Sequence, residues 1–242
     1  IVRHGDLDYA NDSLTERGKL EASLLAKRFA DKKIDYSYHS TMGRAALTAE
    51  IALGDRFEKS VPCDWLREFF HPVQKPGVDS PSISWDWYPA DWTANDGYYS
   101  AEGWYDVPPF DASVVKKEYL RVVSELDGVL AGHGYVRDGR IYRAVSPNMD
   151  TIAFFCHFGL ECVLLAHLLG AAFEQARGVH GACTDLGPRR FVDGDALARE
   201  GGFVHGALAF RHHAVHRDVL ARTHHEPVAH AYLCHRDLDL FA

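Results

Sequence analysis

Short apolar segments alternate with longer stretches of helical periodicity along this 242-residue chain, which predicts an α/β fold. The predicted sheet is mostly parallel, with helices on both faces. Three observations carry this expectation. The chain opens on the apolar pair Ile1-Val2, which runs into Arg3-His4-Gly5 as a strand runs into a loop. Thr151 to Cys156 is an apolar run of buried-strand length, followed by the apolar stretch Gly159 to Leu169 as a helix. Between them, apolar residues recur at helical intervals in several separate segments.

In chain order, Ser13-Leu-Thr-Glu16 has the spacing of a capping box, and Leu20, Leu24, Leu25 and Phe29 then mark the inner face of a first helix. Ile34 to Ser40 alternates as a second strand. A second helix starts near Arg44, with Leu47 and Ile51 on its inner face. Ser113 to Leu130 repeats apolar residues at Val115, Tyr119, Val122, Leu126 and Leu130, which predicts a long helix stopped by Gly132. Tyr135 to Tyr142, centred on Asp138-Gly139, has the pattern of a short hairpin.

Composition narrows the function. With 47% hydrophobic and 25% charged residues the chain is ordinary globular material, enough for one main domain with an insertion. A formal net charge of −8 and the lack of a basic stripe argue against nucleic acid or an anionic membrane as partner. No run approaches a membrane span, and no basic-then-apolar leader opens the chain. The missing initiator methionine suggests that a few leading residues are absent. Five cysteines without a Cys-x-x-Cys pair argue against a disulfide framework or a structural zinc site, and place the protein by default in a reducing cytoplasm.

Two stretches break the pattern. Asp64 to Asp111 holds nine acidic residues against Arg67 and Lys75, together with all five tryptophans. Residues 69–111 are therefore expected to form an insertion packed by its own aromatics, acting as a lid or, more simply, as a satellite core. From Ala171 to Ala242 the chain lacks Lys, Ile, Ser, Asn, Met and Trp, yet holds nine of the 15 histidines. A folded domain does not ordinarily change vocabulary so abruptly.

Four further segments accompany Arg3-His4-Gly5. Leu14-Thr15-Glu-Arg-Gly18 opens the first helix, and Ser40-Thr-Met-Gly-Arg44 places an arginine at the start of the second. Leu66-Arg-Glu68 puts a carboxylate shortly after a third strand, and Cys156-His157-Phe-Gly159 puts a second histidine between a buried strand and a helix start. Taken singly, each has an ordinary explanation. Arg44 fits a solvated helix arginine, Glu68 a surface carboxylate and His157 a buried structural histidine.

In this order and spacing, residues 1 to 170 resemble the histidine phosphatase superfamily, whose fold is phosphoglycerate-mutase-like. The resemblance implies that His4 accepts a phosphoryl group and that Arg3, Arg44 and His157 bind the phosphate. It further implies that Glu68 is the acid and base. Phosphoryl transfer spreads negative charge over equatorial oxygens, so two guanidiniums and an imidazole suit it without a metal or other cofactor. The expected activity is hydrolysis of a small phosphomonoester through a phosphohistidine. The alternatives are mutase-type transfer to a second hydroxyl and a phosphate-binding module without turnover. Asn11, at the place where relatives carry a phosphate-contacting asparagine, sits one residue too far from His4 and is left out of the site.

The resemblance stops near residue 170. Gly178 to Gly187 can be back-translated so that a one-base shift yields a segment similar to the family's continuation. Residues 171–242 are accordingly expected to be translated out of frame and poorly packed. The rival reading is a metal-binding tail built on His212, His216 and their neighbours.

Overall fold

The computed structural model describes residues 1–84 and 87–171. The expectations for the tail, both the frame shift and the histidine metal site, lie outside the described residues apart from Ala171. The described chain divides into two compact units.

The first unit comprises residues 1–71, 118–125 and 148–164 and holds the main sheet. Its strands are β1 (Val2–Arg3), β4 (Tyr36–Ser40), β5 (Val61–Cys63) and β10 (Ile152–Cys156), in the order β1-β10-β4-β5. Every pairing is parallel, as the alternation predicted. Two short strands, β2 (Leu7–Asp8) and β3 (Ser13–Leu14), pair antiparallel between β1 and the first helix. Helices α1 (Glu16–Phe29) and α2 (Gly43–Leu53) connect the strands.

Strand alternation sends successive β10 side chains to opposite faces. Ala153 and Phe155 pack with Ala49, Ala52 and Leu53 of α2, with Leu25 and Phe29 of α1 beside them. Phe154 faces the other way, stacked on Tyr38 at 5.4 Å between ring centroids and edge-on to Trp65 at 6.0 Å. The continuous apolar run Ala153 to Cys156 is thus the signature of a strand buried on both sides.

Both early helices differ from expectation in detail. The cap of α1 is Thr15, whose hydroxyl accepts the Gly18 N–H at 3.1 Å, and Ser13 is paired in β3 instead. Leu20 and Leu24 are exposed, while Gly18 and Ala22 are buried. In α2 the fully buried positions are Ala45, Thr48, Ala49, Ala52 and Leu53, with Leu47 and Ile51 only partly covered. Small residues fill most of the buried positions and allow close approach, while Leu25, Phe29 and Leu53 supply the bulk.

The second unit comprises, among the described residues, 72–117, 126–147 and 165–171. It contains β6 (Pro72–Val73) paired antiparallel with β7 (Ser82–Ile83), and the short helix α3 (Pro89–Thr93). Its centre is aromatic. Trp92 stacks on Phe110 at 5.5 Å, and Trp87, Tyr98 and Trp104 close around them. Helix α4 (Val114–Gly132) contributes Glu118–Glu125 to the first unit and its remaining residues to the second. Its five predicted apolar positions are all buried, and Ser113 caps it by accepting the Val115 N–H. The left-handed residue after it is Gly134 (φ 89°), two residues beyond Gly132. The hairpin of β8 (Tyr135–Asp138) and β9 (Ile141–Ala144) turns at Gly139 (φ 58°), and α5 (Phe158–Leu169) follows β10.

Cys63, Cys156 and Cys162 are free thiols. Among the described residues no helix is long and apolar enough to cross a membrane.

Candidate active site

The site is a consequence of the parallel sheet, because parallel strands end together and the loops after their C-terminal ends converge. Arg3 of β1 pairs with Cys156 of β10, so the next residue on each strand is a histidine. His4 and His157 therefore stand side by side, with ring centroids 5.1 Å apart. Arg44 comes from the start of α2, after the neighbouring strand β4, and Glu68 from the segment after β5.

His4 is almost wholly buried, at 8% exposure. Its Nδ1 lies 2.7 Å from the Gly5 carbonyl, an acceptor only, so Nδ1 carries the proton. Its Nε2 is left as a bare lone pair, and it accepts from the Arg44 Nε–H at 3.3 Å. Burial pushes the His4 pKa down to about 4, aided by Arg44 and Arg3 and opposed by the Gly5 bond. The ring is thus a neutral nucleophile with its reactive nitrogen fixed.

Gly5 serves a different purpose from the close ligand approach its type suggests. A Cβ there would meet the Gly18 carbonyl oxygen at 2.7 Å, and one on Gly18 would meet the Asp6 carbonyl oxygen at 2.1 Å. The two glycines let the loop after β1 lie directly on the first turn of α1. Thr48 of α2 holds the same loop by accepting the Gly5 N–H at 3.1 Å.

Arg44 is fixed by a residue that sequence reasoning passed over. Asp12 accepts from Arg44 Nη1 at 2.5 Å through one oxygen and from the Gly43 N–H at 2.8 Å through the other. It sits in the left-handed region (φ 45°), where aspartate is better tolerated than most residues. Burial works against its charge, but the Gly43 N–H and Arg44 hold the Asp12 carboxyl below its ordinary range. The Asn-Asp pair at 11–12 was the available signal. Asn11 itself turns to Asp8, donating to its carboxylate at 2.7 Å.

His157 is fully buried, and its Nε2 lies 2.8 Å from the Ser40 hydroxyl oxygen. That oxygen also accepts the Met42 N–H at 3.2 Å, and in one of the two histidine tautomers its own O–H donates to Nε2. The proton of the imidazole is then on Nδ1, a buried atom without a hydrogen-bond partner among the described residues. Burial, followed by Arg44, His4, Arg67 and Arg3, lowers its pKa to about 2. A neutral N–H donor kept unpaired beside a nucleophile is suited to an anionic oxygen.

Glu68 accepts three backbone N–H groups on Oε1, from Phe69 and Gly159 at 2.9 Å and from Leu160 at 3.3 Å. The last two belong to the first turn of α5. Burial raises its pKa against the pull of these bonds and of Arg44. All three bonds fall on one oxygen, which leaves Oε2 to carry a proton. Arg3 lies over the Phe158 ring, with its guanidinium carbon 5.5 Å from the centroid, and its charge reaches both histidines.

All five residues singled out in the sequence belong to the first unit. All five are tied together by contact or field: Arg44 bonds His4 and acts on His157 and Glu68, while Arg3 acts on the two histidines. Asp12, Ser40, Thr48 and Arg67 are the additions. Among the described residues no cluster of three His, Cys, Asp or Glu side chains is placed to hold a metal ion.

Residues 1–107 match the model of the histidine phosphatase superfamily (branch 1). No curated protein sequence matches the chain. Among solved structures it is similar to a phosphoserine phosphatase mutant from Entamoeba histolytica in complex with phosphoserine, at 18% identity and a TM-score of 0.43, covering 72% of this chain and 81% of that one. A mycobacterial glucosyl-3-phosphoglycerate phosphatase gives 19% identity and a TM-score of 0.42, covering 74% and 82%. An alpha-ribazole phosphatase from Shigella flexneri gives 19% and 0.41, covering 72% and 81%. Likeness at this level says nothing of this chain's substrate.

Proposed function

We propose that the chain is a phosphatase that hydrolyses a small phosphomonoester through a phosphohistidine at His4. The observation that carries this reading is the fixed state of that ring, with Nδ1 bound to the Gly5 carbonyl and Nε2 presented to Arg44. In the first half-reaction Nε2 attacks phosphorus and the ester P–O bond breaks. Protonated Glu68 gives its proton to the departing oxygen. Arg3, Arg44 and the His157 Nδ1–H neutralise the equatorial oxygens. In the second half-reaction a water attacks phosphorus, the N–P bond breaks, and the Glu68 carboxylate takes the water's proton. Inorganic phosphate leaves, and His4 and Glu68 return to their starting states.

Binding alone needs neither a bare imidazole nitrogen nor a buried carboxyl whose pKa burial raises. Hydrolysis is preferred over a binding module on that ground. In this reading residues 1–170 are the catalytic domain, with 69–111 inserted in it. Release of phosphate from phenyl phosphate tests the proposal. Turnover is expected from the unaltered chain and loss of at least about 10³-fold on His4→Ala, since removing a nucleophile removes the covalent route. Equal rates for the two proteins would overturn it.

A further inference from the structure

Two guanidiniums serve the candidate site, and they are held by different means. Arg44 is held by acceptors, since its Nη1 donates to Asp12 and its Nε to His4. Each of these bonds occupies a donor that a phosphate oxygen could otherwise use. Arg3 is held by a ring. Its guanidinium carbon lies over Phe158, 5.5 Å from the centroid, and among the described residues no carboxylate or carbonyl accepts a hydrogen bond from that guanidinium.

The register of the sheet brings the two side chains together. Val2 pairs with Phe155 and packs with it in the core beside α2, so Arg3, the next residue, leaves β1 on the opposite face. Arg3 pairs with Cys156, and Phe158 follows two residues later as the first residue of α5. Arg3 is exposed, and an exposed arginine ordinarily spreads over many rotamers. The start of α5 is the positive end of a helix and does not attract a cation, whereas the face of an aromatic ring does. A ring also has no acceptor atom, so this contact leaves the five N–H donors of Arg3 unspent. Nor does it cancel the charge, and the Arg3 field reaches both His4 and His157.

We propose that Phe158 is a positioning residue of the phosphate pocket, fixing the Arg3 guanidinium through the face of its ring so that the arginine keeps its donors and its charge for the phosphate. This deepens the phosphatase reading and rests on it. A carboxylate in the same place would orient Arg3 at the expense of both. If Phe158 served only to fill space, its volume would matter and the electron density of its ring would not.

The test is the affinity of the full chain for inorganic phosphate, measured by calorimetry with Phe158 and with monofluoro- or trifluorophenylalanine in its place. Fluorine weakens the negative ring face stepwise at nearly constant shape. Affinity is expected to fall stepwise, by about fivefold with the trifluoro ring, and at least as far in Phe158→Leu, which has no ring face. With Arg3→Gln in the same chain, the trifluoro ring should change the already weakened affinity by less than about 1.5-fold, because no cation remains for it to hold. Equal affinities across the fluorine series, a rise with fluorination, an equal fall with Arg3→Gln present, or no phosphate affinity in the unaltered chain would overturn the proposal. Turnover of phenyl phosphate separates the two claims. Ring-dependent phosphate affinity without turnover sinks the phosphatase reading and leaves Phe158 as the positioning residue of an anion pocket, whereas turnover with phosphate affinity indifferent to the ring sinks the role of Phe158 alone.

Discussion

The Nε2 lone pair of His4 is where the residue-scale account can fail first. Catalysis needs His4 neutral and Glu68 protonated, and their environments move the two groups in opposite directions. Burial lowers His4 to about 4, so its neutral form persists well into acid. Burial raises Glu68, so its protonated form persists above the usual carboxylate range. The pH profile of kcat/KM should therefore be a bell, with its lower limb near the His4 value and its upper limb above the usual carboxylate range, set by Glu68. A profile still rising through pH 8 would contradict this assignment.

Asp12 belongs to the same scale. Asp12→Ala should leave Arg44 without its anchor and lower kcat/KM by about 10²-fold, the usual consequence of misplacing a group by an ångström. Wild-type kinetics from that variant would show that Arg44 needs no anchor. The Arg-His-Gly run was legible in the sequence because its chemistry lies within three adjacent residues. Asp12 and Ser40 were not, since each acts through a partner 32 or 117 positions away.

At the scale of elements, what positions the nucleophile is close contact between backbone segments. Gly18→Ala is expected to push α1 away from the loop after β1, because the new Cβ would lie 2.1 Å from the Asp6 carbonyl oxygen. The loss of stability should be about 1–3 kcal/mol, as for overpacking elsewhere, with a larger proportional loss of activity. Denaturant melts read together with kinetics check this, and unchanged values for both would remove the contact from the account. The same feature explains which helices were legible. The face of α4 is made of Val115, Tyr119, Val122, Leu126 and Leu130, so its periodicity is strong. On α1 and α2 the buried positions are mostly glycine, alanine and threonine, which barely register as apolar, with Leu53 buried and Leu25 and Phe29 packed beside them. Strand β10 was legible because both its faces are covered.

For the whole molecule, two buried neutral histidines tie stability to pH. His4 at about 4 and His157 at about 2 bind protons more weakly in the folded chain than an ordinary histidine at 6.5 does. Their contribution is fully present above about pH 6.5 and is lost as pH falls from there toward the folded values, because the unfolded chain takes up protons first. Each histidine adds a slope of up to about 1.4 kcal/mol per pH unit in that window. His157→Gln should remove one proton's worth of slope from urea melts between pH 6.5 and 4.5, and an unchanged slope would contradict the burial argument. The parallel sheet, and hence the convergence of motifs from residues 3 to 157, was predictable from the order of the elements. The small-residue faces of α1 and α2, the cap at Thr15 and the anchor at Asp12 depend on distant contacts and were not.

The central claim is that a phosphoryl group resides on one nitrogen of one histidine. Brief exposure to a 32P-labelled phosphomonoester, a quench in base and mapping of the labelled peptide test it directly. The label should be stable in base and labile in acid, should lie on His4 at Nε2, and should be absent from a folded His4→Ala protein. Label on any other residue, or its persistence in that variant, would contradict the account.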